Sequence, residues 1–195
     1  NTLSNIGDFD GDGITDLADG SYGDNDNGYD SGAVYVLFLN IDGTVKSHQK
    51  ISSNEGNFDV VLEIGDNFGT AVTSIGDLDG DGITDLAVGV KGDDDGKSFI
   101  PVKLGGEPSS SKGAVYILFM NNDGTVKSHQ KISADYGNFH DKLHIDDRFG
   151  SAIANIGDLN DDGVIDIIVG APYDDDGAIY VLFLNNDGTV LSSHK

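Results

Sequence analysis

The chain has no cysteine in its 195 residues, so neither disulfides nor thiolate metal sites are available to it. Basic residues are scarce as well. Eleven Lys and Arg stand against 34 Asp and Glu, a formal charge of -23, and a surface of that sign repels phosphate. Nucleic acid is therefore not expected as a partner, anionic membrane surfaces are poor candidates, and cations are favoured. There is no apolar run long enough to span a bilayer and no secretory leader, so direct membrane insertion is not expected. No glycine-rich segment ends in Gly-Lys-Ser/Thr, and no serine sits in a nucleophile elbow, which removes the common phosphate-loop and hydrolase signatures. Helical periodicity is scarcely visible. Hydrophobic residues make up 37% of the chain, low but adequate for a globular core.

What the chain does contain is one aspartate-glycine segment written three times, at Ile6 to Asp16, Ile75 to Asp85 and Ile156 to Asp166. Side-chain oxygens fall at alternate positions: Asp8, Asp10, Asp12 and Asp16; Asp77, Asp79, Asp81 and Asp85; Asp158, Asn160, Asp162 and Asp166. A hard divalent cation takes six to eight oxygens, and a converging set of this kind, closed by the backbone carbonyl of Ile14, Ile83 or Val164, supplies them. Glycine at the sixth position (Gly13, Gly82, Gly163) permits the sharp reversal round an ion. A self-bonded Asp/Gly turn is the plainer use of these residues. Three copies argue against it, because acids packed this closely repel one another unless a cation joins them. The helix-flanked calcium loop is a poorer match, since Asp19, Val88 and Val169 stand where its bidentate glutamate belongs. The expectation is about three Ca²⁺, and loops of modest affinity suit extracellular calcium. The third loop, with Asn160 for an aspartate and Asp161 for a glycine, is expected to be the weakest by its carboxylate count.

The repeat extends beyond the loop. Leu86-Ala87-Val88-Gly89 follows the second copy and Gly113 to Phe119 comes later, with counterparts at Leu17 to Gly20 and Gly32 to Phe38, and at Ile167 to Gly170 and Gly177 to Phe183. Runs this rich in β-branched and aromatic residues, bounded by Gly and Asp, read as strands, and their nearly continuous apolar character suggests burial on both faces. Each leads through an Asp-Gly hairpin (Asp42-Gly43, Asp123-Gly124, Asp187-Gly188) to a fourth strand such as Thr44 to Ile51. The fold class is therefore all-β: three four-stranded antiparallel β-propeller blades, about 1–55, 56–136 and 137–195, with one Ca²⁺ loop joining the first two strands of each. A solenoid of sheets is the weaker alternative. The second unit carries an insertion between its second and third strands, Gly92 to Lys112, read first as a tolerated surface loop and second as a binding loop.

Phe68-Gly69-Thr70-Ala71 and Phe149-Gly150-Ser151-Ala152 ahead of two loops, and Gly170-Ala171-Pro172 after the third, resemble the FG-GAP repeat of the integrin α-subunit β-propeller. The resemblance implies Ca²⁺ in the first hairpin of each blade, and recognition of a partner by loops on the opposite face. It implies an extracellular or cell-surface scaffold binding a protein or glycan, without catalysis. The rival reading is a carbohydrate-binding or hydrolytic propeller module of a larger secreted enzyme. Departures are Gly20-Ser21-Tyr22 and Gly89-Val90-Lys91 in place of Gly-Ala-Pro, and Asp19 at an apolar strand position. Three blades make an incomplete ring, which a longer chain or a homodimer closing a six-bladed ring would complete.

Other constellations read as structural. His140 and His144 would need a helix to share a metal, and their segment reads as a loop. His48, His129 and His194 recur with the fourth strand, against a single catalytic histidine. The acidic runs Asp93 to Asp95 and Asp174 to Asp176 read as solvated loops, with a second cation as the alternative. Tyr35, Phe38, Tyr116, Phe119, Tyr180 and Phe183 fall on the third strands, where packing between blades explains them.

Overall fold

The computed structural model describes residues 2–26, 28–96 and 111–195. Among the described residues, twelve strands form three four-stranded antiparallel sheets, each ordered as a simple meander. The first sheet holds β1 (Thr2–Gly7), β2 (Asp16–Ser21), β3 (Ala33–Leu39) and β4 (Val45–Ile51). The second holds β5 (Phe68–Gly76), β6 (Asp85–Val90), β7 (Ala114–Met120) and β8 (Val126–Ile132). The third holds β9 (Ala152–Gly157), β10 (Asp166–Ala171), β11 (Ala178–Leu184) and β12 (Val190–His194). No helix occurs among the described residues, and the three sheets are blades of an incomplete propeller.

Local chemistry sets each hairpin. Between β3 and β4 the Gly43 amide donates to the Asn40 carbonyl at 2.8 Å, and the Asp42 carboxylate accepts the Thr44 amide at 3.0 Å and its hydroxyl at 2.6 Å. An aspartate bonding two residues ahead fixes the turn, and glycine supplies the left-handed residue that ends it. The turn repeats around Asp123 and Asp187, and in each sheet a bulge takes up the extra residue before it: Phe38/Leu39, Phe119/Met120 and Phe183/Leu184.

The blades stack through the Phe-Gly segments. The Phe68 amide donates to the Ser31 carbonyl at 3.0 Å and the Phe149 amide to the Lys112 carbonyl at 2.9 Å, so the second and third blades each open by pairing with the blade before. Phe58 stacks on Phe68 with ring centroids 5.0 Å apart, and Tyr116 meets Phe58 edge-on at 5.5 Å. Phe139, Phe149 and Tyr180 repeat the arrangement at the next joint. Two apolar cores result, one in each inter-blade joint. Burial on both faces holds for β6 and β7, whose every residue is buried, while β3 and β11 alternate. Apolar continuity is thus a true sign of two-sided burial only in the blade with neighbours on both sides. The open face of the first blade also accommodates Asp19, half-buried beside Leu17 and Ser21.

The acidic runs are not simply solvated. Asp93 and Asp174 are buried, and each meets a lysine at or just past the end of the fourth strand: Lys131 Nζ lies 2.7 Å from Asp93 and Lys195 Nζ 2.8 Å from Asp174, as Lys50 lies 3.0 Å from Asp24 in the first blade. Asp66, buried in the first joint, accepts the Glu63 amide at 2.7 Å. It lines a cavity of about 90 Å³ together with Glu63, Asp93, Asp94, Tyr116 and Lys131. Burial first, and then the Asp93 carboxylate, push its pKa up to about 8.

Two outcomes follow from the joints. A Cβ on Gly89 would lie 2.0 Å from the Gly150 carbonyl oxygen, whereas at the equivalent Gly170 the nearest atom is the Ala152 Cβ at 3.4 Å. Gly89→Ala should cost about 1–3 kcal/mol in urea unfolding, and Gly170→Ala should be close to neutral; equal costs would contradict the packing account. The raised pKa of Asp66 means that the folded state holds a proton that the unfolded state releases near pH 4. Its stabilising contribution is full below that pH and is lost as pH rises through about 8. Melting should therefore fall from pH 5 to pH 9, and Asp66→Asn, with no proton to lose, should flatten that fall. The same slope in both proteins would refute it.

Candidate metal centres

Each aspartate-glycine segment forms the hairpin between the first two strands of its blade, β1–β2, β5–β6 or β9–β10. Loop amides organise the carboxylates. The first aspartate takes the sixth-position glycine amide: Asp8 from Gly13 at 2.9 Å, Asp77 from Gly82 at 2.8 Å, Asp158 from Gly163 at 2.7 Å. The fifth-position aspartate takes the amide two residues ahead, Asp12 from Ile14, Asp81 from Ile83 and Asp162 from Val164, each at 2.8 Å. The third-position side chains of Asp10, Asp79 and Asn160 accept from the amides of Asp12, Asp81 and Asp162 at 3.3, 3.2 and 3.0 Å. At positions three and five these bonds commit one side-chain oxygen to the loop amides. Glycine at position six lies at φ of 87° to 90° in all three loops, and at position four Asp161 adopts φ 60° where Gly11 and Gly80 have φ 79°. The third loop thus puts a side chain where the backbone favours glycine.

The ninth-position aspartate differs from the rest because it is buried and ties its own loop to the third strand. Asp85 accepts the Leu78 amide at 2.9 Å with one oxygen and the Met120 amide at 3.0 Å with the other. Asp16 does the same with Phe9 and Leu39, and Asp166 with Leu159 and Leu184. Burial pushes the Asp85 carboxyl up to about 6, with Asp79 and Asp81 adding to the rise against its two amides.

Donor atoms of Asp8, Asp10 and Asp16 lie within 4.8 Å of one another, as do those of Asp77, Asp79 and Asp85. Oxygens about 2.3–2.6 Å from a common ion are spaced on this scale, and a donor set made only of oxygens suits a hard cation in preference to zinc. The residues present therefore fit Ca²⁺. Asp12 and Asp81 stand apart from these groups, each with an oxygen turned to a lysine. Lys46 of β4 binds Asp10 at 2.7 Å and also Asp12, and Lys127 of β8 binds Asp79 and Asp81, both at 2.6 Å. Lys46 and the Ile14 amide hold Asp12 below the usual carboxylate range, and Lys127 and the Ile83 amide do the same for Asp81. Sequence reasoning passes over both lysines. The available signal is Thr-Val-Lys after the Asp-Gly hairpin, which places an alternate side chain of strand four beside the loop.

The histidines fall elsewhere. His140 and His144 sit in a loop between β8 and β9, and His144 approaches Asp147 and Asp174 instead of His140. Asp174 is already bonded by the Tyr180 hydroxyl and Lys195, so this group reads as a charge-compensated joint. Of the insertion Gly92 to Lys112, residues 97–110 lie outside the described residues.

The FG-GAP repeat family matches residues 68–118 and 149–182. Integrin alpha-3 of Cricetulus griseus is 32% identical over 157 residues, 80% of this chain and 12% of that protein. Integrin alpha-2 of Mus musculus is 32% identical over 168 residues, 85% of this chain and 12% of its own length. Integrin alpha-6 of Homo sapiens is 33% identical over 153 residues, 77% of this chain and 11% of its own length. The chain thus spans about an eighth of the curated relatives it matches. With three meander sheets, the second and third of them opened by Phe-Gly pairing, it belongs to the integrin-like FG-GAP repeat proteins.

Proposed function

We propose that this chain is a calcium-binding, non-enzymatic propeller scaffold of an extracellular adhesion protein, with three blades over about 1–55, 56–136 and 137–195. The carrying observation is the hairpin anchored by a buried aspartate, found in every blade, with further carboxylates gathered beside it in the first two. In each, Asp8, Asp77 or Asp158 and their partners at positions three, five and nine would hold the ion, with the carbonyl of Ile14, Ile83 or Val164 completing the set. Calcium supplies positive charge. The chain's own residues orient the oxygens by amide bonds and anchor them, through Asp16, Asp85 and Asp166, to the third strand. The ions serve the fold, and recognition of an extracellular protein falls to loops at the other end of the blades.

The carbohydrate or enzyme reading has one observation in its favour. A cavity of about 730 Å³ beside the first joint is lined by Asn54, Asn57, Asp59, Lys127 and His129, groups suited to sugar hydroxyls. Its aromatic member, Phe58, is only 1% exposed and offers no stacking face, so the scaffold reading is preferred. Ring closure by a homodimer is likewise less favoured than further blades. Phe68-Gly69 and Phe149-Gly150 each join a blade to the one before it within the chain, the kind of junction that further blades would repeat.

Binding to the folded state alone stabilises it by mass action, by about 3 kcal/mol for each site at a hundredfold excess over its Kd. Melting in millimolar calcium should therefore exceed melting in chelator by several degrees. Identical melting in the two would defeat the structural-ion reading.

A further inference from the structure

In the first two hairpins, the oxygens that loop amides leave free at positions three and five are the ones a lysine holds. Asp12 Oδ1 accepts the Ile14 amide and Asp81 Oδ1 the Ile83 amide, while the Oδ2 atoms of both face Lys46 and Lys127. The same division holds at position three, where Asp10 Oδ1 and Asp79 Oδ1 accept backbone amides and their Oδ2 atoms lie 2.7 and 2.6 Å from lysine Nζ. A divalent ion drawing on those oxygens would stand beside an ammonium group of like charge, and the two cannot share the site. The third hairpin lacks this competitor. Leu191 of β12 occupies the place of Lys46 and Lys127 and is exposed. Asp162 Oδ2 there meets a neutral donor, the Asn160 side-chain amide, at 2.8 Å.

We propose that Lys46 and Lys127 are resident counter-cations that hold the first two hairpins together without metal and must be displaced by it, so that the third hairpin fills first. This rests on the calcium reading given above. It reverses the order expected from carboxylates alone, because the first two loops carry four aspartates and a lysine. The third carries three at the corresponding positions, Asp158, Asp162 and Asp166, with no lysine. The trade is between two states of one hairpin. An ammonium group binds two carboxylates without dehydrating a divalent ion and keeps the loop closed at low calcium, but it weakens calcium affinity. The third loop gives up that protection, and calcium has no charge to expel from it.

The experiment is a calcium titration of the full chain followed by NMR at the amides of Gly13, Gly82 and Gly163, each bonded to the first aspartate of its own loop. Gly163 should shift at the lowest calcium. Lys127→Met, which keeps the apolar stem, should lower the midpoint at Gly82 about threefold to tenfold, leave Gly13 unchanged and lower the melting temperature in chelator. Leu191→Lys should raise the midpoint at Gly163 by a similar factor. Gly163 responding last, or an unmoved Gly82 midpoint in Lys127→Met, would overturn the proposal while calcium binding stood. No response at any of the three glycines would overturn the calcium reading itself. The native filling order and Leu191→Lys keep the test decisive if Lys127→Met folds poorly.

Discussion

The rest of the structure hangs on a carboxylate buried at the start of the second strand of each blade. Asp85 ties the loop, through the Leu78 amide, to the third strand, through the Met120 amide. Asp16 and Asp166 repeat the tie in the blades on either side. Met120 closes the bulge at the end of β7, so the same side chain fixes where that strand leaves its register and turns toward β8. A buried carboxylate with two amide bonds is only partly compensated, and the raised pKa of Asp85 expresses the remainder. Cation binding in the adjoining loop is the natural way to remove it. Sheet geometry and the proposed metal affinity would thus draw on one side chain.

From that residue the six positions of the second strand run to the opposite end of the blade, where stacking takes over. Gly89 lies under the Gly150 carbonyl, and just beyond it Asp93 meets Lys131 of the same blade, beside the cavity that Asp66 lines. The hairpins with their aspartates and the joints with their lysine pairs occupy opposite ends of the same strands. One end gathers carboxylates and the other holds the neighbouring blade. The tyrosines of the third strands serve the second of these roles. Tyr116 and Tyr180 pack edge-on to the Phe pairs, and Lys131 and Lys195 lie over their rings at 5.9 Å.

Much of this is legible in the sequence where the signal is local. The strands, the Asp-Gly hairpins, the position of the Asp/Gly loops between first and second strands, and the Phe-Gly openings all depend on residues within one turn of each other. What escapes depends on distance along the chain. Lys46 reaches Asp12, and Lys127 reaches Asp81, only because four strands fold back on one another. Asp93 and Asp174 sit in runs of three acids that look solvated, yet both are buried, and a lysine at the end of strand four compensates each. Apolar continuity points to burial of both faces, but that burial holds only where a blade lies on each side, a property of the neighbours and not of the strand.

The most direct test of the central claim is the number of calcium ions bound by the folded chain, measured by native mass spectrometry over increasing calcium. The account predicts a limit of three ions, with Asp16→Asn, Asp85→Asn and Asp166→Asn each removing one. A broad distribution of adducts that is the same in all four proteins would show that the aspartate hairpins are not metal centres.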